Sequence, residues 1–206
     1  MPELSKGVIV GAGLSGLAAA HWFVEQDPVG RVQILEREPE PLGWLDRWQG
    51  RPFPLGLAER GVLAAAEQYP RGWPLLERVL EKWPSGHNRD WLAGLGVPLE
   101  AEECGLLTCP YPESFREALL AVCRHPRIDL RTECAVEAIS PLADGGFRIW
   151  SRQGDQLECR HLLMATGGGR SHGLSLSREL GHEVEIPEAG IVRLRLSSPK
   201  IGRAHV

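Results

Sequence analysis

Lys6-Gly-Val-Ile-Val10 runs directly into Gly11-Ala-Gly13-Leu-Ser-Gly16, and twenty positions after Gly16 the carboxylate of Glu36 closes a second apolar run, Arg31-Val-Gln-Ile-Leu35. The first run is short, apolar and ended by glycine, the pattern of a strand buried on both faces of a parallel sheet. Between the two runs, Leu14 to Gln26 sets Leu14, Leu17, Ala18, Trp22 and Val24 near helical spacing, and Asp27-Pro28 with Gly30 ends that helix. Strand, helix and strand within about 30 residues make a βαβ unit. Each part of the turn has a mechanical reason. Gly11 permits the tight bend, Gly13 lets backbone amides approach a pyrophosphate with no Cβ in the way, and Gly16 lets helix and strand pack closely. The helix start, from Gly11 and Ala12 through Gly13, Leu14 and Ser15 to Gly16, carries unpaired amides and the positive end of the helix dipole, which suit an anion. Glu36 can accept hydrogen bonds from an adenosine ribose and disfavours a 2'-phosphate. This fingerprint serves FAD and NAD alike.

The remaining composition narrows the class. The chain of 206 residues is 43% hydrophobic and 24% charged, an ordinary globular balance with enough apolar material for one sizeable core. Lys and Arg are scattered and the formal net charge is -4, so no basic face for nucleic acid or anionic lipid is visible and a small-molecule substrate is the expected partner. Oligomeric state is not legible. No apolar run approaches the roughly 20 residues of a membrane span, and no leader pattern precedes the first strand, so the expected location is cytoplasmic. Five cysteines, an odd number without a C-x-x-C pair, read as buried or inert thiols rather than disulfides or metal ligands. His161 and His182 read as structural.

Further along, Pro39 to Pro54 is rich in Pro, Gly and Trp and reads as a long ordered loop. Leu57 to Gln68, Trp73 to Lys82 and Arg89 to Leu95 predict a helical excursion over about 57–95, and Pro112 to Arg124 a further amphipathic helix with Pro112 in its first turn. Ile128 to Leu130 predicts another parallel strand. Cys134 to Ile139, Gly146 to Ser151 and Leu157 to Ala165 predict a meander, the last two strands joined around Gln153-Gly154-Asp155. Its last strand leaves through Thr166-Gly-Gly-Gly169, and Leu174 to Leu180 predicts a helix closed by Gly181.

The glycine turn, Glu36-Arg37 and Ala165-Thr-Gly-Gly168 together resemble the flavoproteins with two dinucleotide-binding domains. Within that class, Trp91-Leu-Ala-Gly-Leu-Gly-Val-Pro-Leu-Glu100, Pro112-Glu-Ser114, Leu180-Gly-His182 and Pro187 resemble the NAD(P)/FAD-dependent oxidoreductase family that includes proteins named aminoacetone oxidase and bile-acid reductase. The resemblance spans most of Gly7 to Leu196. It implies FAD, with Gly11, Gly13, Ser15 and Gly16 at the pyrophosphate, Glu36 at the ribose, Arg37 and the backbone of Val136 near the adenine, and Ala165, Thr166 and Gly167 beside the same half. It also implies a Rossmann-like FAD-binding domain over 1–182, the start of an inserted substrate domain over 183–200, and a fold truncated before its closing FAD segment. The chain departs from the family at two places. Trp44 to Leu55 stands where the family has a Gly-Arg-Lys stretch and a glycine-rich Arg-Cys-Asn segment near the flavin, and Gly169 to Gly173 replaces a longer loop. Ile201-Gly-Arg-Ala-His-Val206 is encoded by one frame of a common short-read sequencing adapter and is expected to be an artefact.

The expected function is an FAD-dependent oxidoreductase acting on a small molecule, inactive as this fragment, with NAD(P)H as a further candidate electron donor. A flavin-binding relative without turnover and an NAD-linked dehydrogenase are the alternatives. Flavin supplies its own redox chemistry, and no catalytic acid or base is singled out by the sequence. Arg47, Arg51, Arg170 and His172 lie in expected loops that could approach the ring, and Trp44 and Trp48 could stack on it or pack in the core.

Overall fold

The computed structural model describes residues 5–58, 72–103, 106–167 and 172–185. Strand β1 (Ser5–Val10) leads through the glycine turn into helix α1 (Leu14–Gln26), and β2 (Val32–Leu35) returns parallel to β1, with Gly7 opposite Val32 and Val10 opposite Leu35. All four β2 residues are buried, as expected of a strand covered on both faces. Helix α4 (Pro112–Val122) then delivers β6 (Ile128–Arg131), which pairs parallel to β2. Strands β7 (Val136–Pro141), β8 (Phe147–Ser151) and β9 (Gln156–Met164) form the expected meander, and the six-stranded sheet has the order β6-β2-β1-β9-β8-β7.

Strand β9 serves two ladders. Gln156 to Cys159 pair antiparallel with β8, whereas Cys159 to Met164 pair parallel with β1. One strand of nine residues therefore joins the meander to the parallel sheet, and it delivers Ala165 beside Val10, whose carbonyl accepts the Ala165 amide at 2.8 Å. The sheet has a core on each face because successive strand residues point to opposite sides. Ile9 and Ile34 pack with Leu17, Ala20, Val24, Phe115 and Leu119 from α1 and α4. Val8, Val10 and Leu35 pack with Val136, Ile149, Cys159 and Leu176, the last from helix α5 (His172–Glu179). Arg127, just before β6, closes the open end of α1: its guanidinium donates to the carbonyls of Val24 at 2.6 Å, Gly30 at 3.0 Å and Asp27. These carbonyls have no partner within the helix, and a cation favours the negative end of the helix dipole.

The excursion between β2 and α4 differs from the expectation. Helices α2 (Trp73–Lys82) and α3 (Ser85–Gly94) form, but Leu57 lies in strand β3 (Phe53–Ala58), not in a helix beginning there, and 59–71 fall outside the described residues. Strand β3 pairs antiparallel with β5 (Leu106–Cys109), which also pairs with β4 (Glu100–Ala101). A small three-stranded sheet thus accompanies the helices. The physical reason is burial with period two: Phe53 enters the core at 1% exposure, Pro54 faces solvent and Leu55 packs back against the core. The loop expected over Pro39 to Pro54 likewise contains a 3-10 helix (Gly43–Trp48), entered through Leu42 at φ 59°. Arg116 of α4 fastens this segment by pairing with Glu40 at 3.2 Å and with Asp46. The boundary expected between 182 and 183 leaves only 183–185 described beyond it, and 201–206 lie outside the described residues, as does Arg170.

Candidate dinucleotide-binding site

The turn between β1 and α1 is packed tightly behind and open in front. At Gly11 φ is +107°, and a Cβ there would meet the Ala165 carbonyl oxygen at 2.4 Å. A Cβ on Gly16 would lie 1.9 Å from the Gly11 carbonyl oxygen and 3.4 Å from Ile9 Cγ2. Both glycines therefore permit backbone contacts that any side chain would prevent. At Gly13, by contrast, a Cβ would meet nothing within 4 Å. Gly13 is the N-cap of α1 and carries no side-chain cap, so the helix start is left exposed to the space in front of it. The amides of Gly13, Leu14 and Ser15 donate to no protein acceptor among the described residues.

Ala12 behaves differently. Its amide donates to Glu36 Oε2 at 2.7 Å, and its carbonyl accepts the Leu42 amide at 3.2 Å. Glu36 Oε1 accepts the Glu38 amide at 2.9 Å. The carboxylate thus ties the glycine turn to the chain leaving β2, and each oxygen keeps a further lone pair for another donor. With its peptide fixed at both ends and its surface fully buried, Ala12 is part of the frame behind the site. Gly16 is too.

In front of this frame lies a cleft of about 1540 Å³. Of the residues singled out from the sequence, Gly11, Gly13, Leu14, Ser15, Glu36, Arg37, Val136, Ala165, Thr166 and Gly167 border it, whereas Ala12 and Gly16 do not. The structure therefore brings together segments that are 100 residues and more apart. Arg47 and Trp44, on the 3-10 helix, border it as well, and so does His172, which stands in the first turn of α5 rather than in a loop. Arg51 does not: its guanidinium lies 4.8 Å over the Trp48 ring and donates to the Arg47 carbonyl at 2.6 Å. Trp44 packs edge-on against Phe53 and Phe115, with ring centroids 5.6 and 6.4 Å away. His161 and His182 are exposed and lie outside the cleft.

Among the bordering residues that escaped the sequence reading are Cys134, Ala135 and Arg152. They sit where β7 begins and where the β8–β9 turn folds over it. Cys134 donates its amide to the Glu36 carbonyl at 2.7 Å, which places this wall beside the backbone of Glu36.

Of the five cysteines, Cys104 lies outside the described residues. Cys109, Cys123, Cys134 and Cys159 are all free, and burial pushes each thiol up, Cys123 and Cys159 to about 11. A folded-state value above the unfolded one means that the unfolded chain ionises first. The associated stability is whole below about pH 9 and declines as pH rises toward about 11. The urea midpoint is expected to fall across that window, and the fall should be shallower in a Cys123→Ala/Cys159→Ala double variant. Equal slopes in the two proteins would assign the decline to other groups. No group of three or more His, Cys, Asp or Glu among the described residues could hold a metal ion. No helix among them is long and apolar enough to cross a membrane.

A mostly parallel sheet entered by a glycine turn at the start of its first helix defines a Rossmann-like α/β fold. Comparison with known proteins agrees: residues 9–79 match the family described as NAD(P)-binding Rossmann-like domain. A kynurenine 3-monooxygenase of Salinispora tropica is 31% identical over 129 residues, covering 60% of this chain and 24% of that protein. The chain thus spans about a quarter of the length of that relative. Among solved structures, THI4 of Thermovibrio ammonificans superposes with a TM-score of 0.55 at 16% identity, over 87% of this chain and 64% of its own. The Pseudomonas aeruginosa protein pqsL, described as a probable FAD-dependent monooxygenase, gives 0.51 at 17% identity over 89% and 47%. At such identities the two structures speak for the fold.

Proposed function

We propose that the cleft takes the ADP half of FAD and that the chain is the nucleotide-binding part of an FAD-dependent oxidoreductase acting on a small molecule, with NAD(P)H as a candidate electron donor. The observation that carries this reading is the asymmetry of the glycine turn. Gly11 and Gly16 admit contacts closed to any side chain, while Gly13 faces open space beside three unengaged amides. Such a cradle fits a pyrophosphate, whose charge suits the helix start. Gly13, Leu14 and Ser15 would donate to the phosphates, and Glu36 would accept from the ribose with the lone pairs left after binding Ala12 and Glu38. Ala165, Thr166 and Gly167 would line the same half. Flavin, when bound, supplies the transfer of hydride or electrons.

The likeness to kynurenine 3-monooxygenase and the resemblance to the aminoacetone oxidase and bile-acid reductase type both favour a redox flavoprotein, and they differ in the substrates they suggest. An NAD-linked reading has one observation in its favour, the match of residues 9–79 to an NAD(P)-binding description. Competition titrations separate the two. In a full-length protein carrying this domain, FAD is expected to displace ADP and to bind more tightly than NAD, with reduction of the bound flavin by NADH or NADPH followed as loss of its visible absorbance. Binding of NAD without FAD would overturn the flavin assignment. Absence of ADP binding would overturn the dinucleotide reading altogether.

A further inference from the structure

We infer that Arg152 recognises the purine base, its guanidinium closing over the adenine at the far end of the cleft; the inference rests on the dinucleotide reading above. The order of groups along the cleft follows from backbone contacts. The free amides of Gly13 to Ser15 fix the pyrophosphate end. Glu36 is joined to the turn through Ala12 and marks the ribose. The Glu36 carbonyl binds the Cys134 amide, and the next residue, Ala135, accepts the Arg152 amide at 2.8 Å. Arg152 therefore stands one step beyond the ribose carboxylate, where a nucleotide extended along the cleft places its base.

The surroundings favour a base over a further phosphate. Glu36, Glu38 and Glu40 border the cleft, and Glu36, which pairs with no cation among the described residues, disfavours added anionic charge near it. The guanidinium of Arg37 is engaged by Glu38 at 2.9 Å. Arg152 borders the same space, yet its side chain makes no ion pair or hydrogen bond with any described residue. Its backbone, in contrast, is held firmly. Ser151 donates its amide to the Asp155 carbonyl at 3.0 Å, Asp155 donates its amide to Ser151 Oγ at 3.1 Å, and Gly154 donates to the Ser151 carbonyl at 3.0 Å. The Gln153 amide group also anchors the turn to the Glu133 carbonyl. A planar cation on a fixed stem, without a partner among the described residues and beside a wall of small and apolar residues, is suited to lie against the face of an aromatic ring.

The test compares the 206-residue protein with Arg152→Ala and Arg152→Lys by calorimetric titration, using ADP and inorganic pyrophosphate as probes. Arg152→Ala is expected to weaken ADP about tenfold and to leave pyrophosphate unchanged. Arg152→Lys, which keeps the charge and loses the plane, should restore little of the ADP affinity. Because Arg152 is exposed, both variants should keep the parent melting temperature. Equal ADP affinity in Arg152→Ala overturns the inference. So does a parallel loss for pyrophosphate, or full rescue by lysine, since either would make Arg152 a general attractor of anions. If the parent protein binds neither probe, the dinucleotide reading itself has failed.

Discussion

Replacement of Gly16 by alanine should cost the protein about 3 kcal/mol of stability or more, the upper range for an overpacked interior. The added methyl would begin 1.9 Å from the Gly11 carbonyl oxygen, and that oxygen belongs to backbone at the end of β1. No rotamer change relieves such a contact. Helix α1 would have to lift from the sheet, which loosens the packing of Leu17 and Ala20 against Ile9 and Ile34. For a chain of this length the loss corresponds to a fall in melting temperature of roughly 6–12 °C. ADP binding should fall with it, because the amides of the helix start move as the helix does. A melting temperature within about 2 °C of the parent would show that the turn is looser than the contact implies.

Gly13→Asp should separate what Gly16→Ala joins. Gly13 has φ -79° and ψ -176°, extended backbone open to any residue, and the new side chain meets nothing within 4 Å. Aspartate is also among the best N-cap residues, able to accept from the unengaged amides of the first turn. Folding stability should therefore hold or rise by a few tenths of a kcal/mol. Binding should move the other way. The carboxylate occupies the donors that the pyrophosphate needs and sets like charges close together, at about 4 kcal/mol for a unit pair 4 Å apart near a protein surface. A loss of ADP affinity on the order of a thousandfold follows. A variant that melts no lower than the parent and still binds ADP with comparable affinity would place the nucleotide elsewhere.

The floor of the candidate site was legible because its determinants are local. A glycine at the end of an apolar run, a helical spacing after it and an acid twenty positions on are all read from adjacent residues, and helix α1 begins and ends where the sequence places it, at Leu14 and Gln26. The meander and β6 were legible for the same reason, through alternation and turn residues. The small sheet was not. Strand β3 finds its partner some 50 residues away, as in the pairing of Phe53 with Cys109, and Pro54 and Gly56 weaken its strand signal, while β4 pairs locally but is only two residues long. The bonding of Ala12 depends on a different kind of information: only the fold shows that Glu36 and Leu42 have taken both ends of its peptide. Arg152 carries no local pattern at all. It matters because of what the Ala135 carbonyl does to its amide, and nothing in the sequence around it announces that contact.

The two roles of β9 also govern how the molecule is assembled during synthesis. Strand β1 leaves the ribosome well before its partner on one side, Cys159 to Met164, which follows about 150 residues later. At the usual pace of translation that interval is on the order of ten seconds. Throughout it, the edge carrying Val8, Ile9 and Val10 is unpaired and apolar, a template for joining other nascent chains. The carbonyls at the end of α1 wait almost as long for Arg127. The glycine turn, encoded between Gly11 and Gly16, is therefore completed late in folding, and the growing chain is expected to carry a sticky edge until its meander arrives to cover it.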